Sequence, residues 1–447
     1  MEIHGFITGE LKKKMIIWDD LFENYPEALD MIPNDIILCC WNYDRDVNPP
    51  KAHFSSRREE DLLAEYSRKG FNYIFAPAPY LVSNIESFTS YARKYNPLGG
   101  LLTVWEKSLN FMAEVFPMVR YAGTLWSGKD TNFDTVMKDL FGIKDTLFIN
   151  ALRCNYEIKA IHPTRLDPLS YLCGPLTDAE ALIKSSSEIT AGIFTEYLDK
   201  CVNTASREML EDLLVSLEWK KIMYKMRAVA EELFTFGADS PNASRRKLLT
   251  AEAAELIDQF LKKKLGQWSR FRNCLSSAGM EKKLVNFKDA VLSLAETSAR
   301  AAGVLKVKFV LPDMYNAQKS RWQILFEDGS LETVAEGVFK NYELTEACYI
   351  YKFPFFTGKK PVSVVIDSWL FGGMGIAYFE IMTADALYVP SNISTVHGLV
   401  SNPHNILIND LRFCYMGETD MPRLMAMPEL TQPRHGFTVG VMRQPGS

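Results

Sequence analysis

Apolar and polar positions alternate in blocks along the first 140 residues or so. Four short apolar runs have the length of strands: Met15–Trp18, Asp35–Trp41, Phe71–Ala76 and Gly99–Trp105. Helical patterns lie between them, at Leu21–Met31, Arg57–Lys69 and Ile85–Lys94. Continuous apolar strands interleaved with helices are typical of a parallel sheet, so this part of the chain is predicted to be α/β.

Aromatic and polar residues follow each of the four runs. They are Trp18, Asp19 and Asp20, then Trp41, Asn42, Tyr43 and Asp44, then Pro77, Pro79 and Tyr80, and finally Trp105 and Glu106. Ligands of parallel α/β proteins bind at the carboxyl ends of the strands. One tryptophan at a strand end is more often a core residue. The repetition at four strand ends predicts one rim of a sugar-sized pocket.

Two later segments have different patterns. Helical periodicity dominates residues 144–303, where we interpret Trp219 and Trp268 as core residues of an all-helical domain. From residue 304 to 447 the apolar period becomes two, and turn residues such as Asp328-Gly329 separate short strands. That pattern predicts a β-sandwich-like antiparallel domain, followed by a loose tail at Thr438–Ser447. The predicted fold class is therefore multidomain: α/β, then all-α, then all-β.

Composition excludes several classes of function. The 447 residues carry a net charge of −5, which does not suit a nucleic-acid-binding surface. No apolar run approaches the ~20 residues of a membrane span, and Met1–Lys14 has no secretory apolar region, so a cytoplasmic protein is predicted. The eight cysteines show no CxxC spacing, which predicts no metal site. Gly372–Gly375 lacks the context of a nucleotide loop, so no cofactor is predicted.

Several of these segments resemble a known family of enzymes. The matching segments are Lys14–Asp20, Pro33–Ile37 leading into Trp41–Tyr43, Gly70-Phe71 leading into Ala76-Pro77, Asn84-Ile85 and Gly99–Trp105. They resemble family-20 glycoside hydrolases, the β-N-acetylhexosaminidases, and among these the bacterial branch in which an all-helical domain follows the barrel. The resemblance implies that residues 1–143 are the C-terminal half of a (β/α)8 barrel, so that the chain begins at about the fifth barrel strand.

The resemblance also implies roles for the strand-end residues. In that family two tryptophans enclose the acetamido group of the sugar and a tyrosine orients it. Trp18, Trp41 and Trp105 match the wall tryptophans, while Tyr43 or Tyr80 matches the orienting tyrosine. Glu106 is expected to bind sugar hydroxyls. The list of expected substrate-binding residues is thus Trp18, Trp41, Tyr43, Tyr80, Trp105 and Glu106. One departure is Lys107, which stands where the family usually has an acid.

The catalytic residues of the family have no match in this sequence. The family uses an adjacent Asp-Glu pair, in which Glu is the general acid and Asp steers the substrate's own acetamide. No Asp-Glu dipeptide occurs here. Asp19 and Asp20 are adjacent carboxylates whose mutual repulsion would raise one pKa. A helix-capping or sugar-binding role for them is favoured over a catalytic one, because Asp20-Leu21 also suits a helix start.

Two functions remain open from the sequence. The first is a β-N-acetylhexosaminidase-like glycoside hydrolase for terminal N-acetylhexosamine, with weak or no activity in this chain alone. The second is a non-catalytic carbohydrate-binding or scaffold protein. A hydrolase of another class is disfavoured because no Gly-x-Ser-x-Gly elbow occurs. Four parallel strands leave two unpaired edges, so self-association, or a partner chain that completes the barrel, is also expected.

Overall fold

The computed structural model describes residues 2–23, 25–49, 61–104, 111–157, 172, 178–235, 240–271, 276–310, 318–339, 348–368, 374–398, 400–401, 414–416 and 435–445. The chain divides into two compact units. The first consists of residues 1–159 and 186–217, and the second of residues 160–185 and 218–447. Each unit is described by itself.

A four-stranded parallel sheet is the centre of the first unit. Its strands are β1 (Ile16–Trp18), β2 (Ile37–Trp41), β3 (Asn72–Ala76) and β4 (Gly99–Gly100). They pair in chain order, and every pairing is parallel. The four carboxyl ends therefore lie along one edge of the sheet, as expected for strands joined by crossover connections.

Helices follow or precede each strand. In the first 157 residues they are α1 (Glu2–Gly5) with a π-helical continuation at Phe6–Glu10, α2 (Leu62–Arg68), α3 (Val82–Ala92), α4 (Phe111–Trp126), α5 (Phe133–Phe141) and α6 (Thr146–Glu157). Asp61 caps α2 by accepting hydrogen bonds from the amides of Leu63 and Ala64, at 3.1 and 3.4 Å.

Two predicted elements of this unit differ from the structure. The helix expected at Leu21–Met31 is a pair of short 3₁₀ helices, Asp20–Glu23 and Pro26–Asp30. Pro26 has no N–H to donate, so one continuous α-helix is interrupted there. The fourth strand is shorter than Gly99–Trp105, because only Gly99–Gly100 pairs with β3 as strand, although Leu101 and Thr103 donate to the carbonyls of Phe75 and Pro77.

The two faces of the sheet differ in burial. On one face, side chains of β2 and β3 pack with α2 and α3 in a core that contains Leu38, Tyr73, Phe75, Leu63 and Phe88. The other face is formed by Ile16, Trp18, Cys39, Trp41, Ile74 and Ala76. Its buried centre is small, consisting of Cys39, Trp41 and Ala76 with Tyr43 and Ile74 at their side. Ile16 and Trp18 are 54% and 46% exposed.

Long helices occupy much of the middle of the chain. They are α7 (Asp178–Tyr197), α8 (Thr204–Leu233), α9 (Ala243–Phe271) and α10 (Ala278–Arg300). In the second unit Trp219 is buried, stacks on Phe260 with ring centroids 5.0 Å apart, and meets the edge of Phe287. Trp219 is thus a core residue, and Trp268 is half-buried. Within the described ranges, no helix combines the length and apolarity that crossing a membrane requires.

Antiparallel strands form the end of the chain. They are β5 (Gly303–Val310), β6 (Gln318–Phe326), β7 (Leu331–Phe339), β8 (Cys348–Phe355), β9 (Pro361–Ser368), β10 (Met374–Thr383), β11 (Leu387–His397), β12 (Val400–Ser401), β13 (Cys414–Met416) and β14 (His435–Arg443). The tail expected at Thr438–Ser447 is therefore wrong, because β14 pairs with both β9 and β11.

The antiparallel strands fall into two groups. One group has the order β8-β5-β10-β13-β12, and the other has the order β11-β14-β9-β6-β7. They are joined where β10 and β11 pair through two residues at their hairpin. One core contains side chains of both groups, among them Val307 and Phe379 from the first and Trp322 and Val439 from the second.

Candidate functional site

The carboxyl edge of the parallel sheet holds two of the expected tryptophans. Trp18 ends β1 and Trp41 ends β2, and both belong to the sheet face opposite the one that packs on α2 and α3. Trp18 lies beside Cys39 in the β1–β2 register, and Trp41 lies beside Ala76 in the β2–β3 register. Trp18 is half-exposed, whereas Trp41 retains 8% exposure. The edge thus has one accessible indole and one fixed indole.

Trp41 is held from two sides. Its indole Nε1 donates a hydrogen bond to Oδ1 of Asp20, 2.5 Å away across the ends of β1 and β2. The ring of Tyr43 lies against it, with centroids 4.8 Å apart and planes inclined by 42°. A hydrogen bond to a carboxylate is stronger than one between neutral groups, so the orientation of the indole is firmly set. Asp20, Trp41 and Tyr43 therefore form one contiguous cluster.

Asp19 and Asp20 lie in different surroundings although they are adjacent. Asp19 is fully buried, and its Oδ2 accepts a hydrogen bond from the hydroxyl of Tyr66 on α2, at 3.0 Å. Asp20 is half-buried and accepts from Trp41. Burial, and then the charges of Asp19 and Asp20, raise the pKa of the Cys39 thiol to about 12. Cys39 is therefore a neutral thiol and not a nucleophile at physiological pH.

Asn84 holds the loop that contains Tyr43 in place through side-chain hydrogen bonds. Its Nδ2 donates to the carbonyl oxygens of Asn42 and Asp44, at 3.1 and 2.6 Å, and its Oδ1 accepts from the amide of Ala78 at 3.0 Å. The side chain is 1% exposed. A buried amide with all three bonds joins the loop after β2 to the turn after β3. The sequence offered one signal for it, a polar residue between the apolar Val82 and Ile85 on a helix.

Glu157 is a second residue whose position the sequence did not reveal. It accepts hydrogen bonds from the amide and hydroxyl of Ser83, at 2.8 and 2.7 Å, and from the guanidinium of Arg45. Arg45 also donates to the backbone carbonyl of Glu157 at 2.6 Å. The end of α6 is thereby tied to the β2 loop and to the start of α3, 112 residues away from Arg45.

The remaining predicted residues follow β3 and β4. Tyr80 is half-buried in the turn after β3, at the same edge of the sheet. After β4, the hydroxyl of Thr103 donates to the carbonyl of Pro77 at 2.9 Å and joins the two strand ends. Trp105 and Glu106 lie outside the described residues. The structure therefore brings Trp18, Trp41 and Tyr43 together with Asp20, and places Tyr80 on the next strand end.

This edge is built from aromatic faces, amides and carboxylates, which suit a neutral polar ligand. In the part of the chain that the structure describes, no group of three His, Cys, Asp or Glu side chains has the arrangement of a metal site. An exposed indole next to a fixed one offers flat apolar area for the C–H face of a sugar, while the half-buried carboxylate of Asp20 supplies an acceptor for a hydroxyl group.

Comparisons with known proteins do not identify a family for this chain. No protein-family model matches the chain, and no curated protein matches it. Among solved structures, the alpha-toxin of Clostridium perfringens from avian strain SWCP matches 57% of this chain and 91% of its own, with 11% identity and a TM-score of 0.19. The alpha toxin from Clostridium absonum matches 60% and 90%, with 12% identity and a TM-score of 0.19. Such scores carry no argument about fold or function.

Proposed function

We propose that the carboxyl edge of the parallel sheet binds N-acetylhexosamine-type sugars, in a protein similar to the β-N-acetylhexosaminidases of glycoside hydrolase family 20. The observation that carries the proposal is the cluster of Trp41, Tyr43 and Asp20 beside the half-exposed Trp18. Aromatic rings that offer a flat face to a sugar, and acceptors at their rim, are the two elements of carbohydrate recognition. The sequence resemblance at the same strand ends supports it.

Glycoside hydrolysis is the activity that the resemblance favours, and the described carboxylates supply little of its chemistry. A general acid must lie within hydrogen-bond reach of the leaving oxygen. Asp19 is buried and bonded to Tyr66, and Asp20 is engaged by Trp41. These contacts support the second candidate, a carbohydrate-binding protein without efficient turnover. In both candidates the sugar site is the same, so a binding experiment tests both.

The decisive experiment measures sugar binding by the purified chain. We expect N-acetylglucosamine to bind more tightly than glucose in calorimetry or in tryptophan-fluorescence titration. We expect Trp18→Ala to weaken binding about fivefold to tenfold, because an aromatic contact of this kind contributes about 1 kcal/mol. Trp18 is chosen because its exposure allows truncation without a cavity in the core.

A control variant shows whether the loss of sugar affinity is specific to Trp18 or follows from truncating any exposed aromatic side chain. Phe356 is 44% exposed, close to the 46% of Trp18, and lies just after β8 in the antiparallel domain. Phe356→Ala should leave the dissociation constant unchanged. Equal affinities for N-acetylglucosamine and glucose, or equal losses in the two variants, would rule out the proposed site.

A further inference from the structure

The loop after β2 is attached to α3 on both sides of Tyr43. Residues 42–47 continue the chain beyond the strand without helix or strand structure. The side-chain amide of Asn84 on α3 donates to the carbonyl oxygen of Asn42 at 3.1 Å and to that of Asp44 at 2.6 Å. These carbonyls belong to the residues that directly precede and follow Tyr43. The same nitrogen atom therefore fixes the backbone on each side of this tyrosine.

The side chain of Asn84 fits its surroundings in one orientation. Its Oδ1 accepts from the backbone amide of Ala78 at 3.0 Å, in the turn after β3. In the reversed orientation, the amide oxygen would face two carbonyl oxygens and the NH₂ group would face an N–H donor. The side chain is 1% exposed, so displacement of the loop would leave buried polar groups without partners. The observed conformation of the loop is therefore strongly favoured.

A second side chain of α3 holds the far end of the loop. The hydroxyl of Ser87 accepts from the amide of Val47 at 3.1 Å and lies 3.3 Å from the carbonyl oxygen of Arg45. Val47 is fully buried in the core that the sheet forms with α2 and α3. The loop is thus attached to α3 near its beginning and at its end.

The contact between the rings of Tyr43 and Trp41 depends on this attachment. The two ring centroids are 4.8 Å apart. Trp41 is held separately, through the hydrogen bond from its indole to Asp20 at 2.5 Å. The indole would therefore stay in place if the loop moved, and the tyrosine would leave it. The position of Tyr43 relative to Trp41 is set by the loop, and the position of the loop is set by Asn84.

We propose that Asn84 is a positioning residue of the sugar site, which sets affinity by holding Tyr43 against Trp41 without touching the ligand. This inference rests on the proposed function and adds to it a residue of α3. A side chain that is already in place loses little conformational freedom when a ligand binds, and this raises the affinity. In a loop released from Asn84, binding would first have to order Tyr43.

The variant Asn84→Asp tests this role. It keeps the shape of the side chain and the acceptor for Ala78, but it removes the two donors to Asn42 and Asp44. We expect N-acetylglucosamine to bind about threefold to fivefold more weakly in calorimetry, close to the effect of Tyr43→Ala.

The double variant shows whether Asn84 acts through Tyr43. In a chain that already contains Tyr43→Ala, the substitution Asn84→Asp should cause no further loss of affinity. A residue that acts only by placing a ring has no effect once the ring is absent, so the two losses are not additive. Additive losses would show that Asn84 affects affinity by another route, and would overturn the proposal.

A second measurement reports the position of Tyr43 without any sugar. In the chain labelled with fluorotryptophan, the fluorine resonance of Trp41 is assigned with Trp41→Phe and responds to the neighbouring ring. We expect Asn84→Asp to shift this resonance in the same direction as Tyr43→Ala. If the wild-type chain binds no N-acetylglucosamine, the proposed function fails, and this resonance alone decides whether Asn84 positions Tyr43.

Thr89 on the same helix provides the matched control. Its Oγ1 accepts from the indole Nε1 of Trp126 at 3.0 Å, and the residue is 2% exposed. Thr89→Val removes a buried hydrogen bond of α3 but none of the bonds to the loop. It should lower the thermal midpoint and shift the resonance of Trp126, while the resonance of Trp41 and the affinity for N-acetylglucosamine stay unchanged.

Ser87→Ala gives a milder test that also serves if Asn84→Asp does not fold. It removes the hydrogen bond to Val47 and should weaken sugar binding about twofold, with a smaller shift of the Trp41 resonance. The proposal is overturned if folded Asn84→Asp, or Ser87→Ala in its place, keeps the wild-type affinity and the wild-type Trp41 resonance. Equal changes in Thr89→Val would also overturn it, since they would trace the effect to a general loss of stability.

Discussion

Asp20 shows how a single side chain takes its role from a contact that the sequence does not display. From the sequence, Asp20 is a helix cap, a sugar ligand or a member of an acidic pair. In the structure its carboxylate accepts the indole N–H of Trp41, 21 residues later. The tryptophans at the strand ends were predictable because each follows an apolar run. The hydrogen bond between two strand ends depends on the β1–β2 register, which no local pattern specifies.

The buried thiol of Cys39 leads to a prediction about its rate of alkylation. Burial and the neighbouring charges of Asp19 and Asp20 raise its pKa to about 12, so the folded protein holds it neutral. Iodoacetamide at pH 8 should therefore label Cys39 at least about a hundredfold more slowly than an unfolded cysteine, whose pKa is about 8.5. Mass spectrometry of the folded and urea-unfolded chain measures this ratio.

The raised pKa of Cys39 also sets the direction in which folding stability changes with pH. A thiol with a raised pKa stabilises the folded state fully below its unfolded pKa, and that contribution is lost as the pH rises from about 8.5 toward 12. Cys154 is half-buried and serves as the internal control for reagent access. If Cys39 is labelled as fast as Cys154 in the folded chain, the thiol of Cys39 is not buried as the structure indicates.

Among the elements, the end of α5 provides a sharp test of backbone conformation. Gly142 ends this helix with φ +72°, and a Cβ atom there would lie 2.3 Å from Cβ of Val202. Gly142→Ala should therefore combine left-handed strain of ~1 kcal/mol with a steric overlap, and lower the free energy of unfolding by about 2–4 kcal/mol. Urea denaturation monitored by circular dichroism measures the loss.

Gly128 supplies the matched control for this variant. It has φ +79°, close to that of Gly142, but a Cβ atom at this position would point into open space, with nothing within 4 Å. Gly128→Ala should lower the free energy of unfolding by the strain alone, ~1 kcal/mol. If the two variants lose equal stability, the close approach of Val202 plays no part in ending α5.

Element types were predictable where one local pattern dominates. The apolar run of β2 is buried on both faces of the sheet and that of β3 mainly on one face, and the sequence displays both runs directly. Strand β14 was missed because its glycines weaken the local pattern. Gly436 is needed where the carbonyl of Ile366 would lie 2.3 Å from a Cβ atom, and Gly440 where Asn392 approaches. Those requirements come from strands β9 and β11, which lie much earlier in the chain.

At the scale of the whole molecule, the sequence identifies the strand-end residues of the candidate site but not the residues that hold them in place. Strand ends that carry aromatic residues lie along one edge because the sheet is parallel throughout. The loop after β2 is held by Asn84 and, through Arg45, by Glu157, which is 112 residues distant. Buried polar contacts of that separation arise from packing of the complete fold. Sequence reasoning therefore finds the aromatic residues at the strand ends more readily than the residues that hold the strand-end loops in place.

The last prediction concerns turnover by the purified chain. We expect hydrolysis of an aryl N-acetyl-β-glucosaminide to be very slow, although the sugar binds. Loss of a positioned general acid lowers the rate by at least ~10²-fold, and loss of the group that orients the acetamide lowers it further. Of the two acidic candidates after β1, Asp19 is buried against Tyr66 and Asp20 is engaged by Trp41.

The variants Asp20→Asn and Glu106→Gln make this prediction specific. If neither residue is the acid, any residual rate at saturating sugar should fall by much less than the ~10²-fold that loss of a general acid costs. Asp20→Asn keeps an oxygen that accepts from Trp41, so the indole should remain in place. Efficient turnover that either substitution abolishes would show that the substituted carboxylate donates the proton to the leaving group.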